Sequence, residues 1–174
     1  MNRSGLIVVL CLAWPAAAAV SEPGGISPLL RALPGEEPAF SLRADGAQVY
    51  QCSPLATGGY GWALQAPDAT LFDGTREVAR LATPNHWESL EDRSSVTGIP
   101  RRMQAAGGDN MPWELLGAMP VGEDGMFAGV TSIQRVNTRG GAAPATACDD
   151  THVGEEARSA FTADYYFYKR RGAG

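Results

Sequence analysis

Apolar and polar residues alternate with a period of two along much of this chain, as expected of β-strands that bury one face. The alternation is clearest in residues 161–168, where the odd-numbered positions are apolar or aromatic. The even-numbered positions form a polar but partly aromatic face made of Thr162, Asp164, Tyr166 and Tyr168. After the first 19 residues, no sustained i, i+3, i+4 stripe of an amphipathic helix is present. The pattern therefore predicts a protein built from sheet.

Other strand-like segments follow one another at short intervals, separated by turns rich in Gly, Pro, Asn and Asp. Asp73-Gly74 is the strongest hairpin signal, because Asp-Gly tolerates the positive φ angles of a type I′ turn. Strands are predicted at residues 48–52, from 62, and at 69–72, 75–81, 86–89, 94–97, 113–117, 126–136 and 161–168, with long loops at 100–110 and 137–147. This spacing predicts an all-β fold, a single-domain antiparallel β-sandwich or barrel with short strands and long loops.

The first 19 residues have the composition of a secretory signal. Arg3 supplies the positive start, residues 6–14 form an apolar run, and Ala17-Ala18-Ala19 fits the small-x-small cleavage rule. We predict cleavage directly after this triplet and export to the periplasm or the extracellular space. A lipoprotein anchored through Cys11 is the alternative, which the bulky Leu10 and the shortness of the apolar run disfavour.

The predicted organisation is a signal peptide over residues 1–19, a leader over 20–43, one β-rich domain over 44–171 and a tail over 172–174. The leader is rich in Pro, Gly and Glu, and within it residues 26–33 are predicted to form a short helix. The exported part has about 155 residues, enough for one domain with its own core. It contains no second apolar run of spanning length, so no integral membrane segment is expected after cleavage.

The chain is mildly acidic, with a formal net charge of −5. Removal of the signal takes away Arg3 and makes the charge one unit more negative. This balance argues against nucleic acid as a partner, because phosphate contacts need clustered Lys and Arg. Residues 169–171 are the one dense basic cluster, interpreted as a solvated terminus or, alternatively, as a contact for anionic lipid or polysaccharide.

Two cysteines remain after the predicted cleavage, Cys52 and Cys148, 96 positions apart. In an oxidising compartment this pair predicts a disulfide across the domain. Two buried free thiols or a metal pair are the alternatives. A metal site needs more ligands nearby, and the sequence has no Cys-x-x-Cys or His-x-x-x-His spacing, so neither a metal nor another cofactor is predicted.

Five segments together resemble one known family of exported proteins, the domain of unknown function 3455 family. They are residues 46–52 (GAQVYQC), 62–73 (WALQAPDATLFD), 111–116 (MPWELL), 127–148 (FAGVTSIQRVNTRGGAAPATAC) and 163–168 (ADYYFY). The segments come in the family's order and cover most of residues 44–169. The resemblance implies a secreted or envelope-facing β-rich domain, and it implies no activity.

This chain departs from the family's pattern in one region. Relatives usually carry a His-aromatic pair and a Gly-Pro before the tryptophan that matches Trp87, where this chain has Leu81-Ala82 and Pro84-Asn85. The Asp-Gly-Ser that commonly follows is Asp92-Arg93-Ser94 here. If this region forms a ligand site in the family, we expect the site to be lost or altered in this chain.

The motifs of two common enzyme classes are missing. Gly59-Tyr60-Gly61 is followed by neither a third glycine nor a helical pattern, so it does not indicate a dinucleotide site. No G-x-S-x-G nucleophile motif is present, and His86 and His152 are the chain's two imidazoles. Each is more simply explained by packing or surface exposure than by catalysis.

Two groups of carboxylates remain as candidates for chemistry. Residues 149–152 (DDTH) could bind a divalent metal, although a solvated acidic turn is the simpler interpretation. Asp68 and Asp73 flank a strand and suggest a glycosidase pair, but Asp73 already has a role in the predicted hairpin.

Aromatic and amide side chains favour binding instead. Core packing is expected for Trp62 and Trp113, whereas other flat or polar side chains on strands could face a sugar ring or a cleft. The candidate ligand-binding residues are Trp87, Gln134, Arg135, Asn137, Tyr166 and Tyr168. For the Gln and Arg residues the alternative is that they satisfy each other and nearby carbonyls inside the fold.

Three functional hypotheses remain. The leading one is an exported β-domain that acts as a binding or envelope-associated module without catalysis, with an envelope or extracellular glycan or a small molecule as its partner. The second is a hydrolase or metal-dependent enzyme that uses Asp and His groups. The third is a purely structural envelope protein. An aromatic-lined pocket would favour binding, convergent carboxylates with a histidine would favour catalysis, and a filled barrel would favour structure.

Overall fold

Eight antiparallel strands joined in chain order build the fold of residues 20–172, the part of the chain that the computed structural model describes. Each strand pairs with the next, and the last returns to pair with the first, so the sheet closes into a barrel. The strands are β1 (Glu36–Pro54), β2 (Tyr60–Asp73), β3 (Arg76–Thr83), β4 (His86–Ser89), β5 (Ser95–Gln104), β6 (Trp113–Val121), β7 (Val130–Gly140) and β8 (Glu156–Arg170). The predicted signal peptide and Cys11 lie outside the described residues.

The predicted all-β antiparallel fold is confirmed, but several strand boundaries were wrong. β5 continues past Pro100 to Gln104, where a loop was expected, because a register shift next to the proline accommodates its missing N–H. β7 begins at Val130, since residues 126–129 form a turn, and it continues to Gly140 through a second register shift. β2 is one continuous strand. Turn-forming residues mark these irregularities in the sequence, but they do not end the strands.

The segment predicted as a leader contributes to the barrel. The expected helix over residues 26–33 is a single 3-10 turn, Pro28–Leu30, and β1 begins at Glu36. Leu30 is fully buried against the outer wall of the barrel, where its carbonyl accepts a hydrogen bond from Gln134 Nε2 at 2.6 Å. Part of the outer wall is therefore covered by the chain itself.

The predicted hairpin at Asp73-Gly74 is confirmed with a shift of one residue. Asp73 and Arg76 are opposite each other in β2 and β3, so Gly74 and Thr75 make the turn. Gly74 has a φ of 61°, and Thr75 is not among the residues with positive φ. Glycine at the first of two turn positions is typical of type II′ rather than the expected type I′.

One end of the barrel is filled by aromatic side chains. Phe127, from the β6–β7 loop, is fully buried with its ring centroid 5.2 Å from that of Phe167 on β8. Phe40 stacks on Phe167 at 4.7 Å, and Trp87 packs edge-on against the same ring at 6.0 Å. Gly98 makes room for this packing, because a Cβ there would lie 2.8 Å from Leu116 and 3.0 Å from the Trp87 ring.

A carboxylate holds this filled end together. Asp92, in the β4–β5 turn, accepts hydrogen bonds from the Ser94 hydroxyl at 2.6 Å and from the Met126 backbone N–H at 2.7 Å. The second bond fixes the loop that carries Phe127. These hydrogen bonds, with Ser94 as the main donor, hold the pKa of Asp92 well below its usual range.

The loops at the opposite end are tied to β1 by the predicted disulfide, which is present. Cys52 at the end of β1 bonds to Cys148 in the β7–β8 loop. The Cys52 carbonyl and N–H also pair with Gly154 and Glu155 of the same loop, each at 2.9 Å. Among residues 20–172 there is no helix with the length and hydrophobicity needed to span a membrane.

Removal of the disulfide should destabilise the barrel strongly. For the Cys52→Ser/Cys148→Ser double variant we expect the free energy of unfolding to fall by at most about 4–5 kcal/mol, because the crosslink closes a long loop in the unfolded chain. Denaturant unfolding of the oxidised protein and of the double variant measures the difference. A loss below about 1 kcal/mol would mean that the backbone hydrogen bonds of Cys52 hold the loop without the crosslink.

Arg93, where the resembled family commonly has glycine, should be a destabilising residue. It has a φ of 62°, a left-handed conformation that costs an L-residue energy and a glycine almost none. Its ion pair with Glu88 at 2.7 Å is exposed and contributes little. We expect Arg93→Gly to raise the free energy of unfolding by up to about 1 kcal/mol. Arg93→Ala, which loses the ion pair but keeps the strain, is the control and should give no gain in denaturant unfolding.

Candidate functional site

The end of the barrel opposite Phe127 contains an open cavity of about 430 Å³. Five strands contribute inward side chains to it, and the loops before β4, before β6 and after β7 form its mouth. It is lined by Gln48, Tyr50, Leu64, Pro67, Leu81, Pro84, Asn85, Asn110, Met111, Pro112, Glu114, Arg135, Gly141, Ala142 and Ala143. Its volume lies within the range of roughly 300–1,000 Å³ that is usual for small-molecule sites.

A buried ion pair lies in the wall of this cavity. Glu114 on β6 and Arg135 on β7 are opposite each other in the sheet, so their side chains share the inner face. Arg135 Nη2 lies 2.9 Å from Glu114 Oε2, and the two side chains are only 12% and 7% exposed. Arg135 also donates from Nε and Nη2 to the Pro112 carbonyl, at 3.1 and 3.0 Å. The guanidinium thus joins the β7 wall to the loop at the mouth.

Burial sets the electrostatics of this region. It raises the pKa of Glu114, and the Arg135 guanidinium opposes that shift. Burial also raises the pKa of the Tyr165 phenol, which lies opposite Arg135 in the sheet, and of the Tyr50 phenol, again with Arg135 opposing both shifts. Arg135 is therefore the charge that opposes the pKa shift of all three of these groups.

A buried amide completes the polar part of the wall. Gln48 occupies an inward position of β1 and is 6% exposed. Its Nε2 lies 2.8 Å from the Met111 sulfur, and its Oε1 has no hydrogen-bond partner among the described residues. Most buried polar atoms in proteins are hydrogen-bonded, so this oxygen is an exception that needs an explanation.

Hydrogen bonds fix the loops around the mouth. The Tyr50 hydroxyl donates to the Gly141 carbonyl at 2.8 Å, and the Thr138 hydroxyl donates to the Met111 carbonyl at 2.6 Å. Met111 N–H donates in turn to the Gly140 carbonyl at 2.8 Å. These bonds fix the positions of the loops that form the mouth of the cavity.

Comparison with known proteins gives one match. Residues 34–86 and 78–169 match the family described as protein of unknown function (DUF3455). The chain belongs to the DUF3455 family. No curated protein and no solved structure matches it.

The residues that depart from the DUF3455 family's pattern lie in two parts of the structure. Three of the departing residues, Leu81, Pro84 and Asn85, line the cavity. Asn85 also has a φ of 55°, and its carbonyl accepts a 2.7 Å hydrogen bond from Gly98. The Asp92-Arg93-Ser94 departure lies at the filled end instead. Part of the region that differs from the family's pattern is thus cavity wall, and part is structural.

Of the candidate ligand-binding residues, only Arg135 reaches the cavity. Trp87 is 1% exposed in the aromatic core. Gln134 and Tyr168 are bonded to each other on the outer wall at 3.1 Å, beneath Leu30. Two others, Asn137 and Tyr166, also lie on the outside, where Asn137 donates to Asp164 at 2.9 Å and Tyr166 is half-buried beside Gln134.

The candidate chemical groups lie apart from the cavity and from one another. His86 is bonded to the Thr97 hydroxyl at 3.0 Å, and His152 to Asp149 at 2.6 Å in the β7–β8 loop. Asp68 pairs with Arg158 at 2.6 Å, and Asp73 with Arg76 at 3.6 Å. Each of these groups thus has a local partner at the surface or near it.

Two cavity residues were missed at the sequence level. Gln48 shares the inward phase of the strand alternation with Tyr50 and Cys52, so the pattern places an amide in the core. Glu114 is a carboxylate inside the apolar run of residues 111–116. A polar residue at an inward position of the strand alternation was the signal available in the sequence.

The raised pKa of Glu114 gives a testable pH dependence. A carboxyl whose folded pKa exceeds its unfolded value of 4.5 stabilises the fold below that value and loses this contribution as pH rises through the folded pKa. We therefore expect the free energy of unfolding of the wild type to fall relative to that of Glu114→Gln as pH rises from about 4 to about 8. Denaturant unfolding of both proteins across this pH range measures the difference. If the free energy of unfolding of the wild type instead rose relative to that of Glu114→Gln, the attraction of Arg135 for the ionised Glu114 would outweigh the effect of burial.

Proposed function

We propose that this protein is an exported binding module that holds a small, largely apolar molecule in the open end of its barrel. The observation that carries the proposal is the cavity of about 430 Å³, which contains a buried ion pair and an unpartnered amide oxygen. An eight-stranded barrel has an interior just wide enough to be filled by side chains or to hold one small ligand.

The lining favours a small molecule over a glycan. Eight of the fifteen lining residues are Leu, Met, Pro or Ala, with Leu64, Leu81 and Met111 the largest, and Leu64 is 49% exposed at the rim. Sugar rings are usually held by flat aromatic faces. Tyr50 is the one aromatic side chain among the lining residues of the described chain, and its hydroxyl is bonded to Gly141.

The composition of the cavity also favours binding over catalysis. None of the described residues that line it is His, Cys, Ser, Thr, Lys or Asp, so a nucleophile with a neighbouring base is not provided there. Glu114 is the one lining carboxylate, and it is paired with Arg135. The existence of an open cavity likewise favours binding over a purely structural role.

Two features support export. The Cys52–Cys148 disulfide is the kind of bond that persists outside the reducing cytosol. The first 19 residues have the composition of a cleavable signal. The ligand would accordingly be met in the periplasm or outside the cell.

A thermal-shift and calorimetry panel tests the proposal on the purified protein. Indole and 4-propylphenol represent small apolar ligands, cellohexaose represents a glycan, and divalent metals with and without chelator represent a metal-dependent enzyme. We expect a saturable rise in Tm with the first two probes, because a ligand that binds only the folded state stabilises it. A response confined to cellohexaose or to a metal would overturn the proposal.

Blocking the mouth should abolish this binding. Ala142 lines the cavity on the β7–β8 loop, so Ala142→Trp fills space that the ligand needs. Ala145→Trp is the matched control, because Ala145 lies on the same loop, is exposed and is not a lining residue of this cavity. We expect a loss of at least about tenfold in affinity for the first variant, an effect of about 1.4 kcal/mol, and none for the second. Equal affinity in both variants would place the ligand elsewhere.

A further inference from the structure

Some polar atoms of the cavity are hydrogen-bonded by the protein itself and others are not. Arg135 uses Nε and Nη2 on Pro112, and Nη2 also contacts Glu114. The Tyr50 hydroxyl donates to Gly141, and Asn110 uses its carbonyl oxygen on Gly140 N–H and its amide nitrogen on the Gly107 carbonyl. These donors are thus engaged by the protein's own carbonyls and carboxylate.

One buried acceptor in the cavity wall, by contrast, is left over. Gln48 Oε1 is buried without a partner among the described residues, although the amide nitrogen of the same side chain is held against Met111. A buried acceptor without a donor is destabilising, so a ligand that supplies the donor gains from it.

From this unpartnered acceptor we propose that the ligand carries a hydrogen-bond-donating head, a hydroxyl or an N–H group, which is received by Gln48 Oε1. Its apolar body lies against Leu64, Leu81 and Met111, the aliphatic residues of the same cavity. This inference rests on the proposed function and adds the chemistry of the head group. Gln48 is the specificity-determining residue in this arrangement.

The same contacts disfavour an anionic ligand. Arg135 is the one cation among the lining residues of the described chain, and Glu114 already neutralises it at 2.9 Å. A second carboxylate would enter beside Glu114 without a free counter-charge. The cavity therefore selects a neutral donor rather than an acid of similar shape.

Matched ligand pairs test the inference by calorimetry on the purified protein. 4-Propylphenol is compared with 4-propylanisole for the hydroxyl, and indole with 1-methylindole for the N–H, so that each pair differs by one methyl group on the donor. We expect the donor of at least one pair to bind about tenfold or more tightly than its methylated partner, since the methylated molecule leaves the acceptor unpaired. The pair with the larger ratio identifies the head group. 4-Propylbenzoate should bind more weakly than 4-propylphenol.

A substitution of Gln48 assigns the effect to this residue. In Gln48→Met, with Gln48→Leu as a second variant, the ratio within the preferred pair should fall towards one. The Tm of the ligand-free protein should rise, because an unpaired buried amide is removed. Gln51→Leu is the matched control on the same strand, outside the cavity lining, and should keep the ratio.

The outcomes separate the two proposals. Equal binding within both pairs overturns this inference and leaves the proposed function standing. A ratio that survives in both Gln48 variants also overturns the assignment to Gln48. Absence of binding by every probe overturns the proposed function and this inference with it.

Discussion

The hydrogen bonds between β1 and β8 determine where the other parts of this protein lie. They run from Glu36 opposite Arg170 to Gln51 opposite Glu156, along almost the whole length of both strands. Because the first and last strands are joined, the sheet has no free edge, and its inward residues enclose one interior. That interior has two ends, and every loop of the fold belongs to one of them.

Different side chains line the two ends of the barrel interior. At one end Phe127 enters from a loop that Asp92 fixes, and the rings of Phe40, Trp87 and Phe167 leave no open space around it. At the other end, bonds to the wall, including the Cys52–Cys148 disulfide, fix the loops around the opening. The filled end thus supplies much of the packing energy, which allows the open end to remain unfilled.

Much of the architecture could be predicted from the sequence, because the period-two pattern of β8 and the Gly- and Asp-rich turns are local signals. The DUF3455 resemblance and the disulfide could also be predicted. The closure of the barrel could not be predicted, because it depends on the pairing of β1 with β8, which are distant in the chain. The site was mostly missed for the same reason: Gln48, Glu114 and Met111 are brought together only by that closure, whereas Gln134 is turned outward beneath Leu30. Arg135 was recognised because it lies within a strongly patterned strand.

The polar residues of the open end are difficult to explain by stability alone. A barrel selected only for stability would place apolar residues at the inward positions of Gln48 and Glu114, since a buried ion pair is often no better than a hydrophobic replacement and an unpaired amide is worse. Yet both residues occur at the same end, next to the open cavity, while the inward positions of the opposite end are filled with aromatic and aliphatic side chains. Local violations of the rules of packing are expected where function requires them. The position of a buried amide and a buried ion pair beside this opening is therefore a structural argument that this end of the barrel is the functional one.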